Sequence, residues 1–161
     1  MENEDQDYNE VVLKEYPNSS RWLREKAVIG VGNLILTNER LVFLYRVALS
    51  PRQMETVKQL SETAKVNKMI DFALTLHRRN FQVPLSSVIS ANICRYCLLP
   101  FPRPYLRISY RGGSKNKLKT LDFMFTIPLL KGFYQLEFTT VWGWVQIIRR
   151  ALKAKQSNVG R

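Results

Sequence analysis

Cys94 and Cys97 stand as C-R-Y-C, a spacing shared by zinc sites and thiol–disulfide centres. A structural zinc site needs four ligands. The single histidine, His77, offers a third, and no fourth is evident. A redox pair of this spacing normally opens a helix, whereas these flanks read as strand. Two reduced thiols in a cytoplasmic protein is the plainer reading, so neither a metal nor a cofactor is expected. Other catalytic marks are missing too. There is no G-x-S-x-G and no G-x-x-x-x-G-K-[ST]. The G-V-G-N-L at Gly30 imitates half a dinucleotide loop, but it lies inside a strand pattern and does not open a helix. Six of the 13 acidic residues fall in the first 15 positions, and the seven that follow are too scattered for an acid/base pair. His77 sits at a predicted helix end beside Arg78 and Arg79, where a charged, solvated terminus is the simplest reading. The chain reads as a non-enzyme.

Basic residues carry a stronger signal. The formal charge is +12, and from residue 16 onward there are 24 basic residues against seven acidic. No acid lies between Asp71 and Asp122, while that stretch holds nine cations: Arg78, Arg79, Arg95, Arg103, Arg107, Arg111, Lys115, Lys117 and Lys119. Such a field favours an anionic partner, be it phospholipid, nucleic acid or an acidic protein; the bland alternative is solubility alone. "CRYCLLPFPRPYLR" adds apolar Leu98, Leu99 and Phe101 among arginines. It reads either as an interfacial membrane contact or as a plug for one end of the core, and "IPLLKGFY" (127 to 134) carries the same ambiguity.

The elements that position these residues follow from periodicity. At 161 residues and 45% hydrophobic, the chain suits one domain with a real core. "MENEDQDYNE" is acidic and polar, unlike a secretory signal, and residues 1–9 are expected to be a mobile leader. The longest apolar run, "VWGWVQII", has eight residues, well short of the ~20 that span a bilayer. "EVVLKEY" reads as a first strand that "PNSS" closes. A second, longer strand runs to Thr37 and a third follows the polar turn T-N-E-R. Alternation places Leu34 and Leu36 on one face and Ile35 and Thr37 on the other. Leu41, Phe43 and Tyr45 likewise oppose Val42 and Leu44, so something must cover both faces. Asn38 and Glu39 are the central turn residues, and Asn tolerates the left-handed backbone that tight hairpins use. "PYLRISYR" turns Leu106, Ile108 and Tyr110 inward and Tyr105, Arg107, Ser109 and Arg111 outward. After the turn "GGSKNK", the strand "KTLDFMFT" puts Leu121, Phe123 and Phe125 on one face.

Residues 51–79 read as a helical insertion. Ser50, Pro51 and Gln53 make a capping box, and the apolar spacing slips near Lys65, giving one helix that changes face or two with a kink. A last helix from about Glu137 to Lys155 has the apolar stripe Phe138, Val141, Trp142, Val145, Ile148 and Leu152, with a mobile tail at 156–161.

G-N-L-I-L-T-N-E-R-L-V-F, residues 32 to 43, resembles the hairpin of GRAM domains, and "FQVPLSSVISANI" (81 to 93) resembles their next element. The resemblance covers roughly residues 10 to 48 and 81 to 154. It implies a pleckstrin-homology-like fold of the α+β class, mostly β: a strongly bent seven-stranded barrel capped by a C-terminal helix. One GRAM-like domain would then span 10–155, with the 51–79 helices inserted between the third and fourth strands, longer than that connection usually is. It also implies a phosphate-binding position in the first inter-strand loop, near Arg21, Arg24 and Lys26, although R-x-x-R-x-K departs from the usual signature.

A non-enzymatic binding module on anionic membrane lipid or a membrane-associated protein is thus the expected function, with a cytoplasmic site at the inner membrane face. The expected anion contacts are Arg21, Arg24, Lys26, Arg103, Arg107, Arg111, Lys115, Lys117 and Lys119. Two other functions compete. Tyr105, Arg107 and Arg111 on one strand face would suit single-stranded nucleic acid. The inserted helices 51–79 would suit homodimerisation.

Overall fold

Strand-forming alternation is realised in seven strands: β1 (Val12–Arg24), β2 (Ala27–Thr37), β3 (Arg40–Tyr45), β4 (Phe81–Pro84), β5 (Val88–Leu98), β6 (Phe101–Gly112) and β7 (Lys117–Phe125). Three helices accompany them, α1 (Pro51–Thr63), α2 (Val66–Thr75) and α3 (Tyr134–Val159). The computed structural model describes residues 10–24, 27–46, 48–63, 65–98, 101–113, 116–125 and 134–159; among these, 17–24, 27–29, 60–63, 96–98, 101–102, 134–137 and 158–159 are described by backbone alone.

All pairings are antiparallel, in the order β4-β3-β2-β1-β7-β6-β5. The sheet bends at β1, which pairs with β2 along its length but with β7 only from Ser20 to Leu23. The two halves then face each other. Phe43 of β3 meets Phe123 of β7 with ring centroids 5.7 Å apart. Leu34, Leu36, Leu41, Leu106, Ile108 and Phe125 join the same buried core, and α3 closes it with Val141, Trp144, Val145 and Ile148. Trp144 stacks on Phe125 at 5.6 Å. Seven bent antiparallel strands capped by a C-terminal helix are the arrangement that the resemblance implied, and the two inserted helices lie between β3 and β4.

The alternation of β2 and β3 holds residue by residue. Ile35 and Val42 turn away from the main core into a second cluster with Ile70 of α2, so the inserted helices cover the outer face of this hairpin. The insertion is two helices, α1 ending at Thr63 and α2 starting at Val66, on either side of the place where the apolar spacing slipped. Its capping box forms as read: Ser50 N–H donates to Gln53 Oε1 at 2.9 Å and Gln53 N–H donates to Ser50 Oγ at 3.3 Å.

Four expectations are corrected. "PNSS" does not end β1. The strand runs through it with a register shift between Tyr16 and Ser20, and such a bulge accommodates Pro17, which has no N–H to donate. Residue 38 does not need left-handed backbone, because among the described non-glycine residues only Asn116 has positive φ. The buried Thr37 hydroxyl instead accepts from Glu39 N–H at 3.1 Å and Arg40 N–H at 2.9 Å, shaping the turn with ordinary φ. Trp144, not Trp142, joins the apolar stripe. At 100° per residue the inward line passes through 141, 144, 145 and 148, and Trp142 is 52% exposed. Finally, α3 extends to Val159, four residues past Lys155, since neither Gly nor Pro stands between Lys155 and Gly160.

Candidate functional site

The hairpin of β6 and β7 outruns its neighbours. β5 begins at Val88, opposite Tyr110, and β1 reaches β7 only as far as Leu23 opposite Asp122. Beyond these points the pairs Arg111↔Leu118 and Gly112↔Lys117 have no third strand beside them among the described residues. The two strands project there as a finger. Its turn uses left-handed backbone at Gly113 (φ 83°) and Asn116 (φ 47°), with Asn116 N–H donating to Gly113 C=O at 3.0 Å. Glycine and asparagine are the residues that tolerate this conformation best.

Leu118 is 66% exposed on this finger, the highest value among the large exposed hydrophobics described. Arg111 lies directly across from it, and directly opposed residues share a face of the sheet. Lys117 and Lys119 point to the other face by the two-residue period. All three cations are exposed. The finger thus combines one apolar side chain with cations on both faces, and a long lysine stem can bring its charge round to the level of the leucine.

At the root of the finger the charges behave differently. Arg107 makes a bidentate pair with Asp122, with Nε to Oδ1 at 2.8 Å and NH2 to Oδ2 at 2.7 Å. The Asp122 carboxylate raises the guanidinium pKa further above its already high value, so the pair is ionised and mutually neutralised. Tyr105 does not face solvent as expected. It is buried to 9% exposure, with the Arg107 guanidinium over its ring at 5.4 Å. Burial, and then the neighbouring Cys94, push its phenol pKa up. The long Arg107 side chain, held over the ring by Asp122, is what covers it. Arg103 is exposed further along the same face.

Arg21 and Arg24 lie on β1 itself, where Arg21 opposes Val31 and Met124, and Arg24 opposes Ala27. The β1–β7 pairing ends at Leu23↔Asp122, so the end of β1 lies beside the middle of β7, at the finger's root. Lys26, Lys115 and Leu99 lie outside the described residues. Leu98 and Phe101 face each other across the last β5–β6 pair, and β7 ends at that same end of the sheet, two residues past Phe123↔Leu106. The remainder of "IPLLKGFY" lies outside the described residues, except for Tyr134 at the start of α3. Register therefore brings Arg24, Arg111, Lys117 and Lys119 to one region, removes Arg107 from the free cations, and puts Leu98 and Phe101 at the opposite end. Leu118 was missed in the sequence, although the outward leucine in K-L-K opposite an outward arginine was the available signal.

His77 is not at a solvated terminus alone: it stacks on Tyr45 at 5.1 Å, and its Nδ1 accepts from Arg79 N–H at 3.1 Å. Among the described residues, no group of three or more His, Cys, Asp or Glu is placed to hold a metal ion. No described helix is long and apolar enough to cross a membrane.

No protein-family model matches the chain, and no curated protein matches it in sequence. Among solved structures it is similar to the Vps36 N-terminal PH domain, at TM-score 0.49 and 14% identity, over 92% of this chain and 83% of that one.

Proposed function

We propose that this protein is a non-enzymatic, GRAM-like binding module that associates peripherally with an anionic membrane surface through the β6–β7 finger. The carrying observation is Leu118, 66% exposed on a projecting hairpin with Arg111, Lys117 and Lys119 around it. Apolar residues ringed by cations suit the boundary between headgroups and acyl chains. Each basic residue near an anionic bilayer contributes about 1 kcal/mol, and full burial of a leucine about 2 kcal/mol. Together these hold the protein loosely and reversibly. Arg24, next to Leu23 at the finger's root, would add to the same end, whereas Arg21 sits opposite Met124 toward the other end and Arg103 lies farther along β6; Lys26 and Lys115 lie outside the described residues. Leu98 and Phe101 belong to the far end and have no part in this contact.

Cosedimentation with vesicles at low salt tests the proposal. Binding to anionic but not to neutral vesicles is expected, and it weakens with salt as the Debye length falls to about 3 Å at 1 M. Arg111→Glu with Lys117→Glu should abolish it, and Leu118→Ser should weaken it. Arg107→Glu is not a clean probe, because it places a carboxylate beside Asp122. Equal binding to neutral vesicles overturns the electrostatic contact. Binding to an oligonucleotide and to neither vesicle moves the function to nucleic acid, a reading already reduced by the burial of Tyr105 and the pairing of Arg107.

A further inference from the structure

Helix α2 covers the outer face of β2 and β3 only in part. Ile70 seals against Ile35 and Val42. Beside them opens a groove of about 280 Å³, walled by Val12, Ile35, Leu44, Val66 and Met69, with Glu15 at its rim. Val12 and Met69 are 40% and 36% exposed, so the apolar lining is open to solvent. Lys68 projects from the opposite side of α2 by helical spacing.

Most of the described carboxylates are paired with a cation; Glu15 and Glu55 are not, and of these two it is Glu15 that borders the groove. Glu10 and Asp71 bind Arg40, Glu39 binds Lys155, and Asp122 binds Arg107. Glu15 is exposed, and among the described residues no cation pairs with it. An apolar groove with one unpaired carboxylate at its rim calls for an apolar side chain carried next to a cation. The finger offers that combination: Leu118 and Arg111 are directly opposed and share a face.

We propose that the β6–β7 finger of one molecule docks in the α2 groove of a second copy, with Leu118 in the apolar lining and Arg111 paired with Glu15. The match is one of charge and of apolar character, and an arginine–carboxylate pair adds directional hydrogen bonds. Finger and groove are different surfaces, so the contact is head to tail and leaves a free finger and a free groove at the ends of each assembly. The same leucine meets lipid in the membrane proposal, so anionic membrane and a second copy compete for it.

Sedimentation velocity of the intact chain over a range of concentrations is the test. The wild type should grow with concentration at low salt. A finger variant, Leu118→Ser, and a groove variant, Met69→Lys, should each remain monomeric while melting as cooperatively as the wild type. Mixed together they should form a pair that grows no further, because one supplies the intact groove and the other the intact finger. Arg111→Glu and Glu15→Arg should each weaken self-association on the order of tenfold, and their mixture should restore it. The Met69→Lys protein should still bind anionic vesicles, which separates this result from the membrane contact. A wild type that stays monomeric, variants that associate like the wild type, or a finger and a groove variant that fail to pair would each overturn the proposal.

Discussion

Arg40 gathers three other parts of the chain around one guanidinium. It donates to Glu10 at 2.8 and 2.9 Å, to Asp71 at 2.6 Å and to Gln82 at 2.5 Å, with its side chain 14% exposed and that of Glu10 7%. The Thr37 hydroxyl donates to the same Glu10 carboxylate at 2.7 Å. Hydrogen bonding to Glu10, working against burial, raises the Arg40 pKa. Removing one partner of such a pair strands the other: Arg40→Met should cost about 3–5 kcal/mol, and Thr37→Val about 1–3 kcal/mol, both read from denaturant melts. The phenols give a pH dependence. Burial raises the pKa values of Tyr45, Tyr105 and Tyr110 above their usual 10.0. Below about pH 10 they are neutral whether the chain is folded or not. Above it the unfolded chain releases protons that the folded one retains, so stability should fall until the folded-state values are passed. Melting temperatures between about pH 9 and 11 should show this decline, and Tyr110→Phe, at a site where burial alone shifts the phenol, should make it shallower.

Among the elements, the β2–β3 hairpin depends on close backbone approach. A Cβ added at Gly32 would collide with the Leu44 carbonyl oxygen on the facing strand, and backbone cannot swing aside as a side chain can. Gly32→Ala should therefore cost about 2–3 kcal/mol, seen as a lower urea midpoint at unchanged slope. Asn38 now has a different role from that of a left-handed turn residue. Its Oδ1 accepts from Val11 N–H at 2.9 Å, and its own N–H donates to Val11 C=O at 3.1 Å. Asn38→Gly should lose about 1 kcal/mol where the turn pattern alone expected tolerance. If melting shows Asn38→Gly as stable as the wild type, the side-chain bond to Val11 adds nothing. At α1, Ser50→Ala should cost the insertion about 1 kcal/mol, visible as faster amide exchange in that helix before any change in global melting.

At the scale of the molecule, a single sheet wraps one core and leaves two surfaces unfinished, the finger where β6 and β7 outrun β1 and β5, and the groove that α2 fails to fill. Trp144 holds the closure together: it is fully buried, stacks on Phe125 and receives Lys14 Nζ at 5.6 Å over its ring. Trp144→Ala should cost about 3–5 kcal/mol and loosen α3 from the sheet, whereas Trp142→Ala, at a half-exposed position, should stay within about 0.5 kcal/mol of wild type. Equal losses at both tryptophans in thermal melts would mean that α3 is rotated from the orientation described.

The amino-acid sequence by itself determined the parts that depend on neighbours a few positions apart. Alternation at Leu34, Ile35 and Leu36 assigned each residue its face, and apolar residues on both faces of β2 and β3 required a cover, which α2 supplies. Ser50 and Gln53 marked the start of α1, and the slip near Lys65 marked its end. Tertiary structure alone decided which charges are spent and which surfaces project. Arg107 and Asp122 are 15 positions apart, and Arg40 is 30 from Glu10 and 31 from Asp71, so strand register and helix docking, not spacing, set those pairs. Leu118 was legible as an outward residue, but its exposure depends on where β1 and β5 stop, and a strand's end is set by its partners. Local periodicity tells a side chain which face it takes; only the packed chain tells it what, if anything, stands opposite.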